Sequence, residues 1–363
     1  MKRKEKTLTH TQAVAQIGRA RPLFSVSTMS LNGSPGLMQQ TSSGGRSQPQ
    51  QIRGSGTLTD HQRPQAANPF FFPERFLDSG LRLDGAVVQK FPVSDDPVTH
   101  LHNIMALPMR EDDVVIAAYH KSGTHWMADI LHMLTRGCVT YMEKSKEDVM
   151  FEYKDDLASL EDEPSPRIFN SHLYMRFMPR QMLQKRIKVI HLVRNPKDVA
   201  VSLYHHLKQY AQDQFNFDRF LQGYMMDHYL SISHQLNYLT QMAEFVSTHP
   251  HHPVKTIAYE DMKQDGLAVV RDVAQFLELP ANEQLFQEIV TACSFEKLKT
   301  KDEARSMPAN LQRTVPGNKS LKLFRKGVIG DWKNHFTVTQ NETFEEFLRR
   351  RQTGCGKFLL YWD

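Results

Sequence analysis

From about residue 110 onward, apolar positions follow two alternating periods. Short apolar runs occur at Val114–Ala118, Ile187–Val193 and Val254–Tyr259, with a weaker one at Arg167-Ile168-Phe169. Between them apolar residues recur three and four apart, as in Met127, Ile130, Leu131 and Leu134. Short runs bounded by polar clusters read as buried strands, and the three-and-four spacing reads as helices. The predicted helices cover 125–135, 196–209, 218–246 and 264–277. Strands alternating with helices imply a central parallel sheet flanked by helices, an α/β fold.

Residues 1–66 carry no such periodicity and are rich in Ser, Gln, Gly and Thr. That composition predicts a disordered tail. A single domain is expected over 67–363, with order starting near Asn68-Pro69-Phe70-Phe71-Phe72. Charge separates the same two parts. Residues 1–66 hold nine Lys/Arg against two acids, whereas the other 297 hold 36 basic and 38 acidic residues, a net of −2. The domain is therefore near neutral and shows no bulk signature of nucleic-acid binding. The first thirty residues, basic and nearly acid-free, fit an organelle transit peptide as well as a plain solvated tail. No apolar run approaches the ~20 residues that span a bilayer. Cys138, Cys293 and Cys355 are odd in number and far apart, which argues against a disulfide framework or a zinc site and suits a reducing compartment.

Parallel α/β sheets bind ligands at the carboxyl ends of their strands. Here those ends carry His120-Lys121-Ser122-Gly123, Asn170-Ser171-His172, Arg194-Asn195-Pro196 and Tyr259-Glu260-Asp261. Four chemically useful residues at four strand ends are hard to ascribe to packing alone. The segment Tyr119 to Trp126 reads as strand, tight turn and helix, with a lysine, a glycine and two hydroxyls in the turn. Backbone N–H groups at a helix start make a socket for phosphate or sulfate.

Asn195 suits an N-cap and Pro196 a first helical position, with Arg194 just outside to hold an anion. Ser202 lies one turn beyond Asp198 and could add a hydroxyl. Arg325-Lys326-Gly327, followed by Gly330-Asp331-Trp332, is a second basic, glycine-containing loop, weak as a signal by itself. Among 17 histidines, His172 stands out by position, as an imidazole at the binding edge able to take a proton.

Taken together these segments resemble the cytosolic sulfotransferase family. Tyr119 to Trp126 is similar to its 5′-phosphosulfate loop, Tyr-Pro-Lys-Ser-Gly-Thr-Thr-Trp. Arg194 to Ser202 is similar to its 3′-phosphate motif, and Arg325 to Asn334 to its third signature. The resemblance spans roughly residues 110–345 in the family's order. It implies a P-loop NTPase-like sulfotransferase fold, cytoplasmic, and transfer of a sulfuryl group from 3′-phosphoadenosine 5′-phosphosulfate (PAPS), leaving PAP. By that analogy Lys121 stabilises the leaving phosphate, which Ser122, Gly123, Thr124, His125 and Trp126 cradle. Arg194, Ser202, Arg325, Lys326 and Gly327 hold the 3′-phosphate; Trp126, Tyr259, Cys293 and Phe295 line the nucleotide; His172 deprotonates the acceptor, a small hydroxyl or amine compound. No metal need be invoked. Lys333, Thr337, Val338 and Glu342 match the family's short dimer motif, implying a homodimer. Neither nucleic acid nor membrane is an expected partner.

Four departures qualify the match. His120 stands where the family has proline, His125 where it has threonine, and Cys293 where it has threonine. Asn170 stands where the family often has a lysine, which removes a cation beside the transferring group. Two rival functions are a P-loop small-molecule kinase and a nucleotide-binding protein without catalysis. The lysine precedes the glycine in the turn, which departs from the Gly-Lys-Ser/Thr order of kinases.

Overall fold

The computed structural model describes residues 80–83, 86–89, 96–209, 215–226, 234–304, 322–356 and 358. The expected tail, and the expected start of order near Asn68–Phe72, lie outside the described residues. An antiparallel pair, β1 (Gly80–Leu83) and β2 (Ala86–Gln89), comes first. Helix α1 (Pro97–Ala106) follows, capped by Asp96, whose carboxylate accepts from the Val98 and Thr99 amides. Then come β3 (Val114–Ala118), α2 (Thr124–Arg136), β4 (Ile168–Ser171), β5 (Lys188–Val193) and α3 (Pro196–Lys208). After α4 (Phe217–Tyr224) and α5 (Gln235–Thr248) the chain forms β6 (Val254–Ala258), α6 (Tyr259–Gln264), α7 (Gly266–Phe276), α8 (Glu283–Ala292), α9 (Phe295–Ala304) and α10 (Val338–Arg351).

Strands β3 to β6 form one sheet in the order β4-β3-β5-β6, every pair parallel. All five residues of β3 are buried, as a central strand covered on both faces requires. Alternation divides them. Val115 and Ala117 enter one apolar cluster with Val199, Ala200, Leu203 and Leu207 of α3. Val114, Ile116 and Ala118 enter the other with Met127, Ile130, Leu131 and Leu134 of α2. Each fully buried aliphatic side chain of this kind contributes about 1.5–3 kcal/mol. Helix α2 ends at Gly137, whose left-handed backbone (φ 65°) returns its N–H to the Leu134 and Met133 carbonyls.

Because β4 lies on one side of β3 and β5 on the other, the chain reverses its direction of winding at β3. The crevice between the carboxyl ends of β3 and β5 is thus the topological switch point. The expected alternation is borne out, with three local differences. The stretch read as a helix over 218–246 is two helices, because Asn216 and His234 each cap a separate start by accepting from the Arg219 and Asn237 amides. The helix read over 264–277 begins at Gly266, where the Asp265 carboxylate accepts from the Ala268 amide. Tyr259, read as a strand end, is the first residue of α6.

The entry ends of β3 and β4 are held by a buried ion pair. Arg167 donates to both Asp113 carboxylate oxygens, at 2.8 and 2.6 Å, and to the Leu160 and Pro108 carbonyls. Arg167→Met would leave the Asp113 charge buried and uncompensated, so urea denaturation should show a loss of about 3–5 kcal/mol; a change within 1 kcal/mol would refute the role.

Candidate active site

The loop after β3 departs from common backbone geometry at two positions. Lys121 has φ 64° and Gly123 has φ 101°. A left-handed lysine is uncommon, and such conformations concentrate at binding loops. Gly123 is required twice over: by its φ, and because a Cβ there would lie 3.0 Å from Tyr259 Cδ2 and 3.1 Å from Met262 Cε. Gly123 caps α2, so the N–H groups of the first turn face the crevice edge.

Arg194 leaves the end of β5 and crosses the switch point. Its Nη1 donates to the Lys121 carbonyl at 2.9 Å, and its guanidinium lies 4.0 Å over the Tyr259 ring. The peptide amide of Asn195 donates to Glu260, and the Asn195 side chain caps α3. Asp198 in the first turn of α3 accepts from the Gly330 and Trp332 amides, at 2.7 and 3.0 Å. These bonds join the three segments singled out in the sequence. Ser202 lies one turn further along α3 and is half-buried. The Arg325 and Lys326 side chains both donate to Asp331. Gly327 lies flat on Phe295, since a Cβ there would fall 2.1 Å from the ring.

Trp126, Tyr259 and Phe295 gather on one side of the loop. Trp126 and Tyr259 meet edge to face at 5.8 Å, and Lys263 sits over both Trp126 and Phe295. The arrangement can take a planar ring. Cys293, expected by the resemblance at the nucleotide, follows α8 and precedes Phe295. Its side chain is in the core, with Sγ 3.9 Å from Met133 Sδ, and burial pushes the thiol up to about 12. Thr124 is buried in the first turn of α2, and His125 Nε2 lies 2.8 Å from Glu147 Oε1. Burial pushes the His125 imidazole down to about 4.

His172 follows β4. Its Nδ1 lies 2.7 Å from the Ala118 carbonyl, which can only accept, so Nδ1 carries the proton and Nε2 keeps its lone pair. Burial first, then the Lys146 ammonium, push its pKa down to about 3. The His120 ring sits 4.0 Å from that of His172. Beneath, Glu152 accepts from the His172 amide and from Ser171 Oγ, and burial raises its carboxyl to about 7. Strands about 4.8 Å apart place the ends of β4, β3 and β5, and so His172, Lys121 and Arg194, within about 10 Å. Burial, then Lys146 and Arg194, push the Lys121 ammonium down to about 8. Ser122 Oγ and Arg194 Nε are buried without a hydrogen-bond partner among the described residues. A hydroxyl, a guanidinium edge and an ammonium in one socket suit an anion.

Sequence reading did not single out Lys146, Glu147 or Glu152. They fall in the polar stretch Glu143-Lys144-Ser145-Lys146-Glu147-Asp148 and just after it, a pattern that reads as solvated surface. In the fold all three are buried.

A parallel α/β sheet with Lys121, Ser122 and Arg194 at its switch point and the His172 imidazole at the adjacent strand end suits group transfer from an anionic donor. Sequence comparison is specific. The sulfotransferase domain matches residues 111–356. Sulfotransferase 1B1 of Canis lupus familiaris is 31% identical over 297 residues, covering 78% of this chain and 96% of the relative. Human sulfotransferase 1E1 is 35% identical over 269 residues, 69% of this chain and 87% of the relative. The mouse sulfotransferase SULT7A1, solved with PAP, superposes with TM-score 0.61 at 24% identity, covering 77% of this chain and 98% of that one. Retinol dehydratase, solved with androsterone and PAP, gives TM-score 0.60 at 21% identity, covering 76% and 89%. The chain belongs to the sulfotransferase family and is an enzyme of that class. Among the described residues, no helix is long and apolar enough to cross a membrane.

A histidine whose folded pKa is about 3 stays neutral across pH 5–8. Proton NMR should therefore show no His172 titration in that range; a midpoint near 6.5 would refute the buried, neutral assignment. Unfolded histidine binds its proton below about 6.5, so this group's contribution to stability is complete above that pH and falls as pH drops toward 3.

Proposed function

We propose that the enzyme transfers a sulfuryl group from PAPS to a hydroxyl or amine of a small, mostly apolar acceptor, with His172 as general base. The observation that carries this reading is the tautomer of His172, whose Nε2 lone pair is held one strand away from the Lys121 loop. Lys121 and the α2 amides receive the 5′-phosphosulfate. Arg194, Ser202, Arg325, Lys326 and Gly327 receive the 3′-phosphate, for which Arg325 and Lys326 would exchange Asp331. Trp126, Tyr259 and Phe295 take the adenine, while Cys293 contributes core packing rather than a contact.

His172 Nε2 takes the proton of the acceptor's hydroxyl or amine as the acceptor's oxygen or nitrogen bonds to sulfur. The bond from sulfur to the bridging phosphate oxygen breaks, and its electron pair stays on the 5′-phosphate of PAP. The Lys121 ammonium stabilises that developing charge. Positioning and charge compensation suffice for such a transfer, as in phosphoryl transfer. The family match favours this reading over the kinase.

Phe151, Tyr174, Phe177 and Met178 are buried in one apolar cluster with Val115 and Ala117 of β3, and suit the wall of an apolar acceptor site. A panel of phenols, sterols, aliphatic alcohols and amines with labelled PAPS tests the activity directly. With the best acceptor, His172→Gln should lower kcat by about 10³-fold and leave PAP affinity within about twofold. Loss of both, or of neither, would sink the role.

Pairing of two copies through Lys333, Thr337, Val338 and Glu342 is supported by exposure. Val338 is 76% exposed at the start of α10, which Thr337 caps. Val338→Glu is expected to convert the dimer to monomer in sedimentation velocity, and an unchanged profile would refute the interface.

A further inference from the structure

Lys146 is 4% exposed, an uncommon state for lysine. It opens the short 3₁₀ turn Lys146–Val149. Its Nζ lies 3.1 Å from Glu147 Oε1 and 4.0 Å from Met150 Sδ. Glu147 is already engaged elsewhere, since the same Oε1 lies 2.8 Å from His125 Nε2 and Oε2 accepts from Ser145 Oγ. Glu147 is thus shared between Lys146 and His125 and also acts on Lys121, beside Arg194; Asp302 acts on Lys121 too, and Glu152, its carboxyl raised by burial to about 7, acts on Lys146.

The turn is docked on β4 beside the catalytic histidine. Met150 pairs in parallel with Asn170, and the Phe151 amide donates to the Asn170 carbonyl. Asn170 stands in β4, two residues before His172, which follows the strand. Its Oδ1 and Nδ2 are buried without a partner among the described residues. Lys146 thus belongs to the turn that docks, through Met150, on the strand position where the family pattern carries a lysine. Its charge is felt across the site: it lowers the pKa of His172, Lys121, His125 and His120.

We propose that Lys146 Nζ, with the Asn170 amide, contacts the sulfuryl oxygens of the bound donor and replaces the strand cation that Asn170 lacks. The inference rests on PAPS being the donor. The alternative is a purely structural lysine that neutralises Glu147.

The two nucleotides separate these roles, because PAP lacks the sulfuryl group. Calorimetric titration of the full chain should show PAPS bound roughly ten- to a hundredfold more weakly by Lys146→Met, the range of a lost charge-assisted contact. PAP affinity should stay within about twofold. Adding Asn170→Lys to Lys146→Met should restore most of the PAPS affinity. Equal weakening of both nucleotides, or no change for PAPS, would overturn the proposal. If Lys146→Met does not fold, the pair Lys146→Met with Glu147→Gln leaves no uncompensated charge and reads the same difference. A wild-type protein that binds neither nucleotide would overturn the donor assignment itself.

Discussion

The bond from Arg194 to the Lys121 carbonyl is the joint on which the site depends. It ties the loop after β3 to the end of β5, across the point where the sheet reverses its winding. The same guanidinium lies over Tyr259, and Tyr259 in turn leaves room only for glycine at 123. One side chain thereby sets the path of the loop, the stacking of an aromatic wall and the placement of a cation. Its Nε is buried without a hydrogen-bond partner among the described residues.

The second constraint is electrostatic. Lysine and histidine lose solvation on burial, which opposes their charged forms. The Lys121 ammonium is pushed down to about 8 and the His172 imidazole to about 3. An anionic donor would reverse the penalty on the lysine, while His172, held neutral by burial and by neighbouring cations, stays fit to accept a proton. The group of positive charges that suppresses protonation of the base is the group that suits a phosphosulfate. Under the proposed function, the same cations would attract the donor and keep His172 neutral before the acceptor binds.

Much of this was legible along the chain. A lysine and glycine between an apolar run and a helical stripe mark a tight strand-to-helix turn, a candidate anion loop, because the backbone chemistry of such a turn is local. Asn195-Pro196 marks a helix start for the same reason, and its cap is as expected. His172 could be selected because a strand end is visible from periodicity. Lys146 could not. It sits in a run of alternating charges, and only the docking of its turn against β4 buries it. Nor could the packing of Cys293 be read from the chain: it lies two residues before Phe295, and its thiol packs against Met133 across the core.

Local periodicity and turn chemistry therefore determined the α/β class, the loop at Tyr119–Trp126, the caps and the strand-end residues. These depend on interactions within a few residues, which a linear pattern records. The strand order, the crevice between β3 and β5, the tautomer of His172 and the burial of Lys146 were decided by the tertiary structure alone. Each depends on atoms distant in sequence: the Ala118 carbonyl behind His172, Arg194 beside Lys121, and β4 beside the turn of Lys146. Desolvation and mutual charge act through space, so the chain by itself names the groups, and only the fold sets their protonation and their partners.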